Sequence, residues 1–167
     1  LKLYIVFNHN GLRSLTADPN LPDTVKLVDN QTTLVKEEIL QRQVRVEIDN
    51  VDKPGNFHGV LYNPGNTNYA ISLLERGLCY VSTGGRPVRG SEELHLAEAK
   101  AKSLKKGVWV YENLLQVDLP EEEEGVIAPV IKNEPAFKCV LSEVMTCDDF
   151  YIQRADGKLD EIHAIIN

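Results

Sequence analysis

QVRVEIDNVDKPGNFHGVLY, residues 43–62, opens with a period-two alternation. Val44, Val46 and Ile48 are therefore expected to face a core while Arg45 and Glu47 face water, the mark of a half-buried strand. Pro54-Gly55 supplies turn residues and FHGVLY a return strand, so the stretch predicts a β-hairpin. Working outward, Asn63-Pro-Gly-Asn66 is a second turn signal. The TNYAISLLERG segment after it puts Tyr69 or Ala70, Leu73 and Leu74 on one stripe of a short helix that Gly77 can end in a left-handed cap. LCYVS reads as a short strand. The strongest helical pattern is Ser91–Gly107, with Ser91 as N-cap, Glu92 and Glu93 at the positive end of the dipole and Lys105, Lys106 and Gly107 at the other. Its expected buried stripe is Leu94, Ala97, Ala101, Leu104 and Val108, with Glu98 and Lys102 paired on the wet face and Trp109 plugging the core beyond it. An earlier helix is expected over Thr32–Gln41. The order strand, helix, strands, helix, strand, helix predicts an α+β fold, a small barrel with helices packed on it.

The charge is divided unevenly along the chain. The net charge is −7 over 167 residues. Residues 1–114 carry 14 Lys and Arg against 13 Asp and Glu, whereas residues 115–167 carry 4 against 12. The barrel region is thus near neutral and the acidity belongs to the tail. Residues 115–135, with three prolines and the Glu121–Glu124 run, have neither strand nor helix periodicity and read as a linker. The glutamates are a solvated spacer or, alternatively, a site for a basic partner. Beyond the linker, Phe137–Val144 and Phe150–Gln153 read as strands around a TCDD turn, and Leu159, Ile162 and Ile165 suggest an amphipathic helix. No apolar run approaches the roughly 18 to 20 residues of a membrane helix, and no secretory signal is recognisable. Cys79, Cys139 and Cys147 form no CxxC pair, and His9, His58, His95 and His163 are scattered. Disulfides and metal binding are therefore not expected, and reduced thiols suit a cytosolic or nuclear setting.

Three blocks, DKPGNFHGVLY, LLERGLCYV and HLAEAKAKSLKKGVWVYEN, occur in that order and spacing. Together they resemble the staphylococcal-nuclease-like repeats of Tudor-SN proteins, with their DKxG hairpin, G-L-A-x-V strand and A-E-x-x-A-K-x-x-x-x-G-x-W helix. The resemblance covers most of residues 1–114 and implies a five-stranded OB barrel with about three helices. QRQVRVEIDNVDKPGNFHG, followed by an acidic linker and FKCVLSEVMTCDDFYIQ, is similar to the last complete repeat before the Tudor domain. Residues 136–167 are then expected to be an incomplete first half of a split unit into which the Tudor barrel is inserted. In LKLYIVFNHNGL two strands of the family pattern are joined with their loop shortened or absent.

A nuclease of this kind holds calcium with carboxylates, activates water with a glutamate and neutralises phosphate with two arginines. The active pattern is F-R-x-x-x-V-D-T-P-E, with a further arginine after DKxG. Placing Phe7 on the phenylalanine puts Asn8 at the first arginine, Arg13 at the metal-binding aspartate, Ser14 at the threonine and Thr16 at the catalytic glutamate, while Asn56 takes the second arginine's place. The remaining metal carboxylate falls in the shortened region. The expectation is a catalytically inactive module, without metal or cofactor, that binds double- or single-stranded RNA in a cytoplasmic, or also nuclear, RNA-regulatory or silencing protein. Candidate contacts are Arg42, Arg45, Lys53, Arg86, Arg89, Lys100, Lys102, Lys105 and Lys106, with Phe57, Tyr62 and Tyr80 as stacking platforms. The near-neutral barrel supports an alternative, a scaffold that spaces neighbouring repeats and buttresses the Tudor domain. Two further expectations follow: residues 1–114 fold without the tail, and the unpartnered 137–153 strands promote self-association.

Overall fold

A computed structural model describes residues 5–82, 88–111 and 136–154. In chain order the elements are β1 (Ile5–His9), β2 (Leu12–Ser14), α1 (Pro22–Ile39), β3 (Gln43–Val51), β4 (Phe57–Tyr62), α2 (Tyr69–Glu75), β5 (Cys79–Val81), α3 (Ser91–Ser103), a 3-10 helix (Gly107–Tyr111), β6 (Phe137–Val144) and β7 (Asp149–Arg154). Among the described residues no helix is long and apolar enough to cross a membrane.

The 43–62 stretch forms the expected hairpin, β3 and β4, with Val44, Val46 and Ile48 buried. It is the centre of a closed five-stranded barrel in the order β1-β4-β3-β6-β7. β1 runs parallel to β4 and antiparallel to β7, which shuts the barrel. β2 and β5 form a separate two-stranded sheet beside it. Five strands leave room only for side chains, and Phe7, Val46, Leu61, Leu141, Phe150 and Ile152 are completely buried. A smaller cluster of Leu15, Tyr80, Ala101, Val108 and Trp109 sits apart from the main core.

The β6-β7 hairpin departs from expectation. Instead of opening a separate half-unit after the linker, it supplies two of the five barrel strands, pairing with β3 on one side and β1 on the other. Residues 1–114 supply only three, so the expected boundary after residue 114 cuts through the barrel. The physical reason is burial: Cys139, Leu141, Phe150 and Ile152 are all sealed from water there, each of the larger ones worth about 1.5–3 kcal/mol. The strands expected to seek a second copy have partners in their own chain, so they give no ground for self-association. The expected helix around Leu159, Ile162 and Ile165 lies outside the described residues, as do the linker and Arg86.

Two helices also differ. α1 starts at Pro22, ten residues before the expected Thr32, with its proline in the first turn, where a missing N–H is harmless. α3 ends at Ser103 and its N-cap position is held by left-handed Gly90, with no side-chain cap from Ser91. The chain turns sharply at Lys105 and Gly107, both of positive φ. Leu104 is thereby rolled out to 58% exposure, while Val108 and Trp109 are buried from the 3-10 helix.

Candidate functional site

At the end of the barrel where β3 turns into β4, Asn8 on β1 lies between His58 of β4 and Asp149 of β7. The DKPGN turn folds onto its own aspartate. Asn56 donates to Asp52 from both its backbone and side-chain nitrogens, at 2.7 and 2.9 Å, and His58 Nε2 lies 3.2 Å from the same carboxylate. Burial pushes the Asp52 pKa up, but the Asn56 hydrogen bonds and His58 together outweigh it and hold it below the usual range. Asp149 moves the other way, because burial and then the adjacent Asp148 charge raise its pKa. Its Oδ1 is buried without a hydrogen-bond partner. Asp148 accepts hydrogen bonds from the hydroxyls of Ser14 and Thr146. Carboxylates therefore do reach this corner, delivered by the β6-β7 turn and not by the region ahead of β1.

Arg13 stands opposite Tyr80 on the two-stranded sheet, and both Arg13 and Thr16 are exposed. Among the described residues no group of three His, Cys, Asp or Glu is placed to hold a metal ion. Asp52 is engaged by Asn56 and His58 and Asp148 by two hydroxyls, and these carboxylates do not converge on one point as calcium ligands would. The corner offers amides, one imidazole and carboxylates, groups that can hydrogen-bond a ligand.

The expected cationic contacts are scattered. On the outer face of β3, the Arg45 guanidinium lies 3.9 Å above the Tyr62 ring and donates to Glu47 at 2.8 Å. Tyr62 donates to the other oxygen of Glu47, and burial followed by the Glu47 charge raises its pKa. Arg89 reaches across to Glu47 and Asp49. Lys100 pairs with Glu75 at 2.9 Å, and Lys102 Nζ sits 4.9 Å from the Trp109 ring centroid. Glu98 accepts the Val81 backbone N–H at 2.7 Å and lies 3.8 Å from His95 Nδ1. Lys53, Lys105 and Lys106 are exposed. Of the aromatic platforms, Phe57 and Tyr80 are buried in the core, leaving Tyr62 alone at the surface.

One cluster gathers cations from separate parts of the chain. Arg42 and Arg45 of the β3 end meet Lys138 of β6 along a groove of about 590 Å³, walled by the Asn63–Asn66 turn. Lys138 was not among the expected contacts. Its strand register against β3 is the signal that exposes it, and sequence alone did not provide that register.

Residues 25–111 match the family model described as "Staphylococcal nuclease homologue". Ribonuclease TUDOR 2 and Ribonuclease TUDOR 1 of Arabidopsis thaliana are each 32% identical, over 72% and 78% of the chain. The chain belongs to the Tudor-SN family. Staphylococcal nuclease domain-containing protein 1 of Drosophila melanogaster is 35% identical over 48% of it. The chain spans 12%, 13% and 9% of the lengths of these three Tudor-SN relatives. Within this Tudor-SN chain the match to the family model stops at Tyr111, whereas the barrel continues through β6 and β7. Asn8 and Asn56, the residues expected at the two arginine positions, share the corner with Asp52, His58 and Asp149. Ser14 borders it through Asp148, and Arg13 and Thr16 belong to the neighbouring sheet and loop.

Proposed function

We propose that this chain is a catalytically silent nuclease-like module that binds RNA within a larger RNA-regulatory protein. The observation that carries the silent half is the pair Asn8 and Asn56, two uncharged amides on a corner whose carboxyl groups are Asp52, Asp148 and Asp149. A phosphodiester brought there meets repulsion where hydrolysis needs cations. Loss of one such contact removes a few kcal/mol of transition-state stabilisation, and here both arginines and the general base are replaced together. RNA is the partner class that the family's nuclease origin supports, and the Arg42, Arg45 and Lys138 cluster offers it positive charge. Within the longer protein, the proposed companions are the other nuclease-like repeats and the Tudor domain, in the cytoplasm with a nuclear share.

A second reading, a scaffold between repeats, is favoured by the number of cations already neutralised inside the chain. Arg45, Arg89 and Lys100 each face a carboxylate. Incubating the chain with labelled RNA and DNA in calcium and in chelator tests the silent reading, and no chelator-sensitive hydrolysis is expected. RNA binding that weakens with salt separates module from scaffold, since only a phosphate-binding surface releases counterions.

A further inference from the structure

Resting on the RNA-binding reading and sharpening it to a place, the geometry points to the groove between β3, β6 and the Asn63–Asn66 turn as the seat of the RNA backbone: we infer that Arg42, Arg45 and Lys138 bind its phosphates, and that this site exists only when the β6-β7 hairpin closes the barrel. Arg45 is directly opposite Lys138 across the β3-β6 ladder, with Tyr62 on its other side. Like charges placed opposite one another on a sheet destabilise it by a few tenths to about 1 kcal/mol. A fold with no use for that pair would be expected to place an acid at one of the two positions.

Among the described residues no acidic side chain lines the groove, and the carboxylate nearest Arg45 is that of Glu47. Glu47 engages only one guanidinium nitrogen of Arg45, and Arg45 Nε is buried with no partner. Stacking on Tyr62 fixes the guanidinium plane, so little side-chain freedom is lost when an oxyanion arrives. Asn63 and Asn66 line the opposite wall and bring amide groups to the same groove. Lys138 comes from β6, while Arg42 and Arg45 sit at the start of β3. Assembly of the charge cluster and closure of the barrel are therefore one event.

The test uses the full chain and a short fluorescent single-stranded RNA, titrated at several salt concentrations. Lys138→Glu and Arg42→Glu should each weaken binding at least tenfold and lower the salt slope by about one to two phosphate contacts. Lys26→Glu on α1, carrying the same change in net charge, should leave affinity and slope near the parent values. Lys138→Glu replaces a like-charge pair with an attractive one across from Arg45. Its melting temperature should be unchanged or higher, so weaker binding cannot be blamed on unfolding. Competition with inorganic phosphate and with a nucleoside monophosphate distinguishes a polynucleotide site from a simple anion site; RNA should win at far lower concentration. Parent-like RNA binding by both groove variants overturns the groove while leaving the RNA reading intact. Displacement of RNA by equimolar phosphate overturns the polynucleotide assignment. Absence of salt-sensitive RNA binding in the parent chain overturns the RNA reading and the groove with it.

Discussion

His9 is the residue whose position the chain tolerates least comfortably. Its side chain points into the barrel between Phe7 and Phe150, edge to face at 6.0 and 5.9 Å, and neither ring nitrogen has a hydrogen-bond partner. Burial drives its pKa down to about 3, so it is neutral in the folded protein. The unfolded chain takes up the proton at an ordinary pKa near 6.5. The folded value is the depressed one, so this contribution to stability is fully present above about pH 6.5 and is lost as pH falls from there toward 3. His9→Leu should remove that loss: the variant gains on the parent by about 1.4 kcal/mol for each pH unit below 6.5. Urea midpoints at pH 8 and pH 5 measure it, and a difference independent of pH would show that His9 finds a proton partner. In the sequence His9 was one of four scattered histidines. Asn8, His9 and Asn10 break the apolar alternation of β1, so the inward direction of residue 9 could not be read from its own segment. Asn8 and Asn56 could be singled out together because the motif resemblance assigns both of them places in one site. Asp148 and Asp149 were not, because the pairing that brings them to the corner is long-range.

At the scale of elements, the β3-β4 hairpin, α2 and most of α3 follow from local pattern, and α1 marks where such reading fails. Two of the four buried positions of α1 are Thr24 and Gln31, and in its first half Leu27 and Val28 are only partly buried, against the smaller cluster, so the stripe there is polar and apolar by turns. Thr24 donates its hydroxyl to the Leu21 carbonyl and accepts the Asp18 N–H, tying the preceding loop to the helix start, and Gln31 reaches the Gly77 carbonyl at 3.3 Å. That same carbonyl receives the Val108 N–H at 2.8 Å, so Gly77 ties together α1, α2 and the 3-10 helix. Gly107 is the other half of the crossing. Its φ is +54°, and a Cβ there would stand 2.0 Å from the Gly77 oxygen. Gly107→Ala should destabilise the chain by about 1–3 kcal/mol from backbone conformation, with separation of the two backbones adding to it. Thermal or urea unfolding decides the point; a loss under half a kcal/mol would mean that the crossing opens at little expense. The sequence offered Gly77 and Gly107 as separate helix ends, and their contact belongs to packing between helices.

For the molecule as a whole, the decisive fact is which strands are neighbours. Ile5 pairs with Ile152 and Val44 with Cys139, so the barrel is sealed by pairings between distant parts of the chain. A chain ending after Tyr111 would lack β6 and β7, leave Phe7, Val44 and Val46 facing water and present two bare strand edges. It should show no cooperative thermal transition by circular dichroism, while the full chain melts in one step. A sharp melt of the truncated chain would mean that residues 5–111 can close without the hairpin. The fold class was legible because β3, β4, β5, β6 and β7 each announce themselves locally and the family resemblance supplied the barrel. Membership of the barrel was not, since a linker signature looks the same whether the segment beyond it leaves or returns. The pairing of Ile5 with Ile152 also bears on how the protein is made. A ribosome adds about 5–20 residues each second. β1 therefore waits on the order of ten to thirty seconds after its own synthesis for β7 to be translated. During that interval the nascent chain carries an open seam, and holding it apart from other nascent chains falls to the chaperones that attend translation.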